Sequence, residues 1–272
     1  MKPAMRVLHI LRGQAETDFM IVRQDEKGSS PEVQRMGHVL VIGGSGYVGT
    51  RVNGYLARRH ALRVFDLRPP ADPSLPFSQG SVTDYEALRR SVEGMEIVLY
   101  MAMNIQRGTE LEMEQSCFDV NVKGVYLALR AAREAGIRHA VYCSSMSVYD
   151  GPIEPRYFYD EDMPPDARGS YGFTKRLGEE VCRNACYLGG MSVNALRLYH
   201  PMTRDEWLAR ATADKPFLPT DAEDVARAML AALEYRNGFQ AFQLSGDYEN
   251  KVMNMGKARR LLGWEPLARP QR

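Results

Sequence analysis

The stretch Val41-Ile-Gly-Gly-Ser-Gly-Tyr-Val-Gly49 decides the architecture of this chain. It follows the apolar run from His38 to Ile42 and opens a segment of helical periodicity, Tyr47 to Arg59, so the glycines at 43, 46 and 49 fall in a strand–turn–helix context. There Gly43 allows a tight turn, Gly46 lets backbone approach a pyrophosphate, and Gly49 lets the helix pack closely on the sheet. The first N–H groups of the helix then face the phosphates. Three spaced glycines alone occur in many ordinary turns; Asp66, at the end of the next apolar run, makes the pattern specific. A carboxylate at that point accepts hydrogen bonds from both hydroxyls of an adenosine ribose and repels a 2′-phosphate, which favours NAD over NADP. Arg68 pulls the other way, because a guanidinium can hold a phosphate.

Outward from this stretch, short apolar runs alternate with longer segments of helical period. Strands are predicted at His38 to Ile42, Leu62 to Asp66, Glu96 to Met101, His139 to Ser144 and Ser192 to Arg197. Helices are predicted at Tyr47 to Arg59, Asp84 to Val92, Phe118 to Ala135 and Tyr171 to Leu188. After Arg197 come a short irregular region, a helix near Asp224 to Tyr235, a strand near Phe239 to Leu244 and a last helix around Lys257 to Leu262. This alternation implies an α/β chain with a doubly wound parallel sheet covered on both faces. Residues 1–35 are polar, mixed in charge and end in the turn-rich Glu26-Lys-Gly-Ser-Ser-Pro31, so they are expected to form a disordered N-terminal extension. Residues 37–197 read as the dinucleotide-binding domain and 198–272 as a small C-terminal substrate region. Translation is expected to start at Met36, directly before the first strand.

With 272 residues and 44% hydrophobic composition the chain can bury a sizeable core. Thirty-five basic and 34 acidic residues leave a formal charge of +1, no field to recruit nucleic acid or an anionic membrane, and a small-molecule substrate as the expectation. Cys117, Cys143, Cys182 and Cys186 lack metal-ligand spacing and read as reduced packing residues, so no metal is expected. No apolar run approaches the roughly 20 residues needed to span a bilayer, and Met1 to Arg12 lacks a signal-peptide core, so a cytoplasmic location is expected.

A second constellation carries the chemistry. Tyr171-Gly-Phe-Thr-Lys175 puts a phenol and an ammonium four residues apart, on one face of a helix, where the ammonium lowers the phenol's pKa. Upstream lies Ser144-Ser-Met-Ser-Val-Tyr149. With the glycine loop and Asp66, these in this order resemble the extended short-chain dehydrogenases/reductases, the NAD-dependent epimerase/dehydratase family, over residues 37 to about 268. Further pieces of the same likeness are Gly80-Ser-Val-Thr-Asp84, Asn121-Val-Lys-Gly124, Arg197, Asp224-Val-Ala-Arg227 and Lys257 to Pro266.

The resemblance implies a Rossmann fold and an enzyme in which Tyr171 exchanges a proton with a substrate hydroxyl or carbonyl, and Ser145 hydrogen-bonds the same oxygen. Lys175 would tune Tyr171 and grip the nicotinamide ribose, while Asn121 would order the active-site helix and a proton relay. NAD would lie against Gly43, Gly46, Tyr47, Val48, Gly49, Asp66, Leu67, Ser81, Val82, Met101 and Ala102, with Tyr171 and Lys175 at its reactive end. Two departures bear on cofactor affinity: Ser81 stands where the family often has an adenine-contacting Asp, and Tyr100-Met-Ala-Met103 replaces the usual His-Leu-Ala-Ala. Ser144 and Cys143 read as strand-end packing.

A sugar 4,6-dehydratase of the family carries Asp-Glu directly after the catalytic Ser/Thr; here Met146 and Ser147 stand there, and Met146 transfers no proton. Asp221 follows Arg197 so closely that little chain is left for a nucleotide clamp, which makes the compact uronate-dehydrogenase-like branch the nearest likeness. A sugar acid would need a cation, and Arg204, Arg210 and Lys215 are the candidates, with His200 a further candidate for the pocket wall. The expected activity is NAD-dependent oxidation or reduction of a sugar or sugar acid; the alternatives are a nucleotide-sugar epimerase and a catalytically degenerate dinucleotide-binding sensor. The family commonly dimerises through the Tyr/Lys helix and its neighbour, so a homodimer is expected, with Val122, Val125, Ala128, Leu129 and Ala132 on the buried face of that neighbour.

Overall fold

The first strand, β1 (His38–Ile42), is buried at its last four positions because both faces of the sheet beside it are covered. The computed structural model describes residues 37–103, 107–152 and 160–270; the proposed extension at 1–35 and Met36 lie outside the described residues. After β1 the chain runs α1 (Gly49–Leu56), β2 (Ala61–Asp66), β3 (Phe77–Gln79), α2 (Tyr85–Ser91) and β4 (Ile97–Tyr100). It continues through α3 (Glu110–Phe118), a π-helical segment (Asp119–Gly124), α4 (Val125–Glu134), β5 (His139–Ser145), a 3-10 turn (Met146–Val148), α5 (Ser170–Gly189) and β6 (Ser192–Leu198). The last elements are α6 (Arg204–Arg210), α7 (Ala222–Glu234), β7 (Phe239–Leu244) and α8 (Gly256–Leu262).

Among the described residues seven strands form one sheet, all parallel, in the order β3-β2-β1-β4-β5-β6-β7. The order reverses between β1 and β4, and in such sheets ligands bind in the crevice beyond the carboxyl ends of the strands at that point. Alternate residues of each strand enter opposite cores. Val39, Val41, Leu99, Val141 and Leu196 pack with Val225, Met229, Leu233 and Trp264 on one face. Leu40, Ile42, Val98, Tyr100 and Tyr142 pack with Val125, Ala128 and Leu129 on the other. The C-terminal tail is docked by Asp224, whose carbonyl accepts from Trp264 Nε1 at 2.8 Å and whose carboxylate accepts from the amides of Leu267 and Ala268 at 3.0 Å each.

The doubly wound parallel architecture stands as expected, with local corrections. The single helix predicted at Phe118 to Ala135 is α3, the π-helical segment and α4 in succession. Its start was missed because Thr109 caps α3 together with Glu112 in a reciprocal capping box, ahead of a stretch with little apolar periodicity. The region after Arg197 likewise holds α6, opened by the Thr203–Glu206 capping box. The short edge strand β3 is only three residues long and partly exposed, too brief for a period-2 signal.

Candidate active site

The glycine loop turns between β1 and α1 in the way its residues require. Gly43 has φ 81°, and its amide donates to the Phe65 carbonyl at 2.8 Å; a Cβ there would lie 2.3 Å from the Ala102 nitrogen at the end of β4. At Gly49 a Cβ would lie 2.2 Å from the Gly44 carbonyl oxygen, so helix and loop touch backbone to backbone. Gly46 differs: a Cβ would meet only the Gly43 oxygen at 3.1 Å, leaving the outer side of the loop open to an approaching group. The Asp66 carboxylate accepts from the Ser45 amide at 3.0 Å and the Arg68 amide at 3.3 Å, one bond to each oxygen, which leaves lone pairs on both for further donors. Leu67 and Arg68 are exposed beside it.

Ser81 is turned into its own loop, sharing a 2.8 Å hydrogen bond with the Thr83 hydroxyl, and Val82 packs under Gly124, where a Cβ would come within 2.7 Å of it. Met101 and Ala102 are buried at the carboxyl end of β4, and Met101 donates to the Ile42 carbonyl at 2.7 Å. Tyr47 is half-exposed, with its hydroxyl donating to the Pro201 carbonyl at 2.7 Å, and Val48 precedes α1. The unusual Tyr100 also finds its reason: its hydroxyl donates to the Val120 carbonyl at 2.6 Å, inside the π-helical segment. Such segments recur at functional sites because they displace side chains from regular spacing.

The displaced segment carries Asn121, fully buried, whose Nδ2 donates to the Thr174 hydroxyl of α5 at 3.0 Å, while its Oδ1 meets no protein partner among the described residues. Ser145 ends β5, and its hydroxyl also accepts from the Ser147 amide at 3.1 Å, which shapes the 3-10 turn. Tyr171 lies in the first turn of α5; burial pushes its phenol pKa up, and a hydrogen bond with Ser145 pulls it down. One turn on, Lys175 is buried, its Nζ donating to the Cys143 carbonyl at 2.9 Å and lying 6.0 Å from the centre of the Tyr171 ring. Burial holds the lysine's pKa down to about 8. Beside Tyr171 opens a cavity of about 360 Å³ lined by Ser147, Tyr149, Asp150, Ala167, Gly169, Ser170, Tyr171 and Gly172.

Of the residues named from the sequence, Tyr171 lines this cavity, while the glycine loop lies against Ala102 after β4. The cations Arg204, Arg210 and Lys215 do not line the cavity, and Arg204 is held by Asp221 and Glu223 at 3.3 and 3.1 Å. His200 is exposed two residues past β6, with φ 38°. Ser144 is more than packing: its hydroxyl donates to Glu179 at 2.6 Å, and Glu179 pairs with Arg197 inside the protein. Glu179 went unnoticed in the sequence, although a lone carboxylate on the buried face of an amphipathic helix was the available signal. Among the described residues no group of three or more His, Cys, Asp or Glu side chains could hold a metal, and no helix is long and apolar enough to cross a membrane.

Comparison with known proteins fits this geometry. The chain belongs to the NAD dependent epimerase/dehydratase family, whose model matches residues 39–213. It is 36% identical over 132 residues to a 3 beta-hydroxysteroid dehydrogenase/Delta 5-->4-isomerase of Mycobacterium tuberculosis, covering 46% of this chain and 36% of that protein. The chain therefore spans little more than a third of that relative's length. Its fold matches a short-chain dehydrogenase/reductase superfamily protein of Agrobacterium tumefaciens with bound NAD, at a TM-score of 0.72 and 24% identity, covering 85% of this chain and 93% of the other. A uronate dehydrogenase of the same organism matches at 0.69 and 21%, covering 85% of each chain.

Proposed function

We propose that this protein is an NAD-dependent oxidoreductase that interconverts a hydroxyl and a carbonyl group of a sugar or sugar acid, with Ser145, Tyr171 and Lys175 as its catalytic set. The observation that carries the reading is the buried Lys175 ammonium 6.0 Å from the centre of the Tyr171 ring, with Tyr171 lining a cavity of about 360 Å³ and Ser145 at the end of β5, where the 3-10 turn that also lines this cavity begins. In the oxidation direction the Tyr171 phenolate takes the proton of the substrate hydroxyl while Ser145 donates to the same oxygen. The Lys175 charge would favour that phenolate, and its ammonium would hold the nicotinamide ribose. Asn121, fixed to Thr174, orders the π-helical segment against α5 and leaves an amide oxygen free to hold a relay water.

The residues present fit a dinucleotide. The open outer side of Gly46 and the amides of Tyr47, Val48 and Gly49 would meet its pyrophosphate, the free lone pairs of Asp66 its adenosine ribose, and Leu67, Ser81, Val82, Met101 and Ala102 its adenine side and the walls of the crevice. The NAD bound in the Agrobacterium structure supports the same reading. When bound, the nicotinamide supplies the hydride chemistry, and the protein supplies orientation and proton transfer. Asp66 makes NAD the preferred form over NADP.

The test follows absorbance of reduced nicotinamide while the purified protein and NAD are mixed with free uronic acids, neutral sugars and nucleotide sugars. Net reduction of NAD by a free sugar or sugar acid is the expected result. Silence across the panel, with NAD binding intact by calorimetry, would contradict a dehydrogenase and point to an epimerase with an internally closed redox cycle, or to a sensor.

A further inference from the structure

We propose that Glu179 and Arg197 form a buried positioning pair that sets the Ser145 hydroxyl against the Tyr171 phenol by gripping the segment Ser144–Tyr149 at both ends. The inference rests on the catalytic reading of Ser145 and Tyr171 given above. Neither residue touches the reacting atoms.

Glu179 lies eight residues after Tyr171 and four after Lys175, on the same face of α5, so any force on its carboxylate sets the rotation of that face. Its partner Arg197 stands on β6 in direct register with Ser144 of β5, one pair before Ser145 and Leu198. The ion pair is two-pronged, with Nε to Oε1 at 2.9 Å and Nη2 to Oε2 at 2.7 Å, and both side chains are 2% exposed. Glu179 Oε1 also accepts from the Ser144 hydroxyl at 2.6 Å, and Arg197 Nη1 donates to the Tyr149 hydroxyl at 2.5 Å and to the Glu161 carbonyl at 3.4 Å. The residue before Ser145 and the residue that ends its 3-10 turn are therefore both tied to one charge pair, whose carboxylate belongs to the Tyr171 helix.

The energetics make a purely stabilising role a poor explanation. Removing two charges from water offsets most of what the pair gains by attraction, and apolar residues of the same volume would stabilise at least as well. What the pair provides and an apolar contact does not is directional bonds from one helix face to two fixed points on the catalytic segment. Tyr149, buried at 3% exposure, and Glu161, at 8%, close the far side of the network, and the Gln243 backbone N–H donates to the Glu161 carboxylate at 3.0 Å.

The test reads the Tyr171 phenol directly and needs no substrate. Full-length protein carrying biosynthetic 3,5-difluorotyrosine, whose phenol ionises near neutrality, is titrated by ¹⁹F NMR, with the resonance of position 171 assigned by its loss in Tyr171→Phe. Ser145→Ala removes the hydroxyl that the catalytic reading sets against this phenol and is expected to raise its midpoint. Glu179→Gln and Ser144→Ala are each expected to raise it too, by roughly half a pH unit or more, and to add little once Ser145 is already Ala. Loss of the Glu179 charge acting through space alone would move the midpoint the opposite way, to lower pH. A lower or unchanged midpoint in Glu179→Gln and Ser144→Ala, with Ser145→Ala shifting as expected, would overturn the positioning role and leave the catalytic set standing. An unchanged midpoint in Ser145→Ala would instead overturn the catalytic reading itself. Ser144→Ala changes no charge, so it decides the matter even if Glu179→Gln does not fold.

Discussion

The Lys175 ammonium donates to the Cys143 carbonyl at 2.9 Å, inside the protein, with Cys143 itself buried on β5. A cation in that position has one carbonyl where water would offer several oxygens, and burial holds its pKa down to about 8 from the ordinary 10.5. The lysine therefore works against the fold that holds it.

That conflict has a sign. Because the folded-state pKa lies below the unfolded one, the unfolded chain binds the extra proton between about pH 8 and 10.5, and stability contributed by this site rises with pH across that window. Below it both states are protonated and the penalty is constant. Lys175→Met is expected to be inactive yet to melt higher than the wild type at pH 7, by roughly 2–4 °C for each kcal/mol recovered, with the gap narrowing towards pH 10. Calorimetric melts at several pH values check this, and a variant that melts lower at pH 7 would contradict it.

Gly49 and Gly46 are expected to separate on substitution. Gly49→Ala drives a methyl to 2.2 Å from the Gly44 carbonyl oxygen and is expected to destabilise the protein by about 1–3 kcal/mol or more. Gly46→Ala meets only the Gly43 carbonyl oxygen, tightly at 3.1 Å, so its melting temperature is expected to fall much less than that of Gly49→Ala while NAD affinity drops by roughly tenfold or more. Thermal melts paired with cofactor titrations distinguish the two; a Gly46→Ala protein that binds NAD normally would remove the pyrophosphate from this loop.

Asp66→Asn keeps the shape of the strand end and removes its charge. With carboxylate bonds to hydroxyls contributing about 1.5–3 kcal/mol, NAD affinity is expected to fall by roughly one to two orders of magnitude, and discrimination against NADP to shrink with it. Parallel titrations with both dinucleotides measure this, and an unchanged NAD:NADP ratio would show that Asp66 is not the discriminating group.

Much of this was legible from the chain. The glycine loop, Asp66 and the Tyr171/Lys175 pair are read from short local patterns, because each depends on backbone geometry or helix spacing within a few residues, whereas Ser145 is read only through the family resemblance. The parallel sheet follows from the alternation of short apolar runs with helical segments, while its strand order is visible only in the fold. What stayed hidden depends on contacts distant in sequence. Nothing local shows that Tyr100 holds the Val120 carbonyl, that Glu179 meets Arg197, or that Arg204 is taken up by Asp221 and Glu223. The π-helical segment was hidden for a related reason: its sequence reads as continuous helix, and the Tyr100 hydroxyl that bonds within it comes from a strand.

A homodimer remains a prediction with a revised surface. Val125, Ala128, Leu129 and Ala132, expected on a buried face of this helix, are buried against the protein's own sheet, and Val122 is partly buried. Pairing of α4 and α5 across a dimer axis would instead use Tyr126 and the groove it shares with Leu129, Arg130, Arg133, Val181, Asn184 and Ala185. Light scattering at micromolar concentration is expected to give twice the chain mass, and Tyr126→Glu to give the monomer; a wild-type monomer would contradict it.

The most direct test of the account is a comparison of wild type and Tyr171→Phe in two measurements on the same preparations: NAD binding by calorimetry, and the rate of nicotinamide reduction with the best substrate from the sugar and sugar-acid panel. Removing a positioned acid–base group should lower the rate by about 10²–10⁴-fold, while the dissociation constant for NAD stays within a few-fold of wild type. A Tyr171→Phe protein that reduces NAD at the wild-type rate would show that Tyr171 is not the proton-transfer group, and the proposed active site would fall with it.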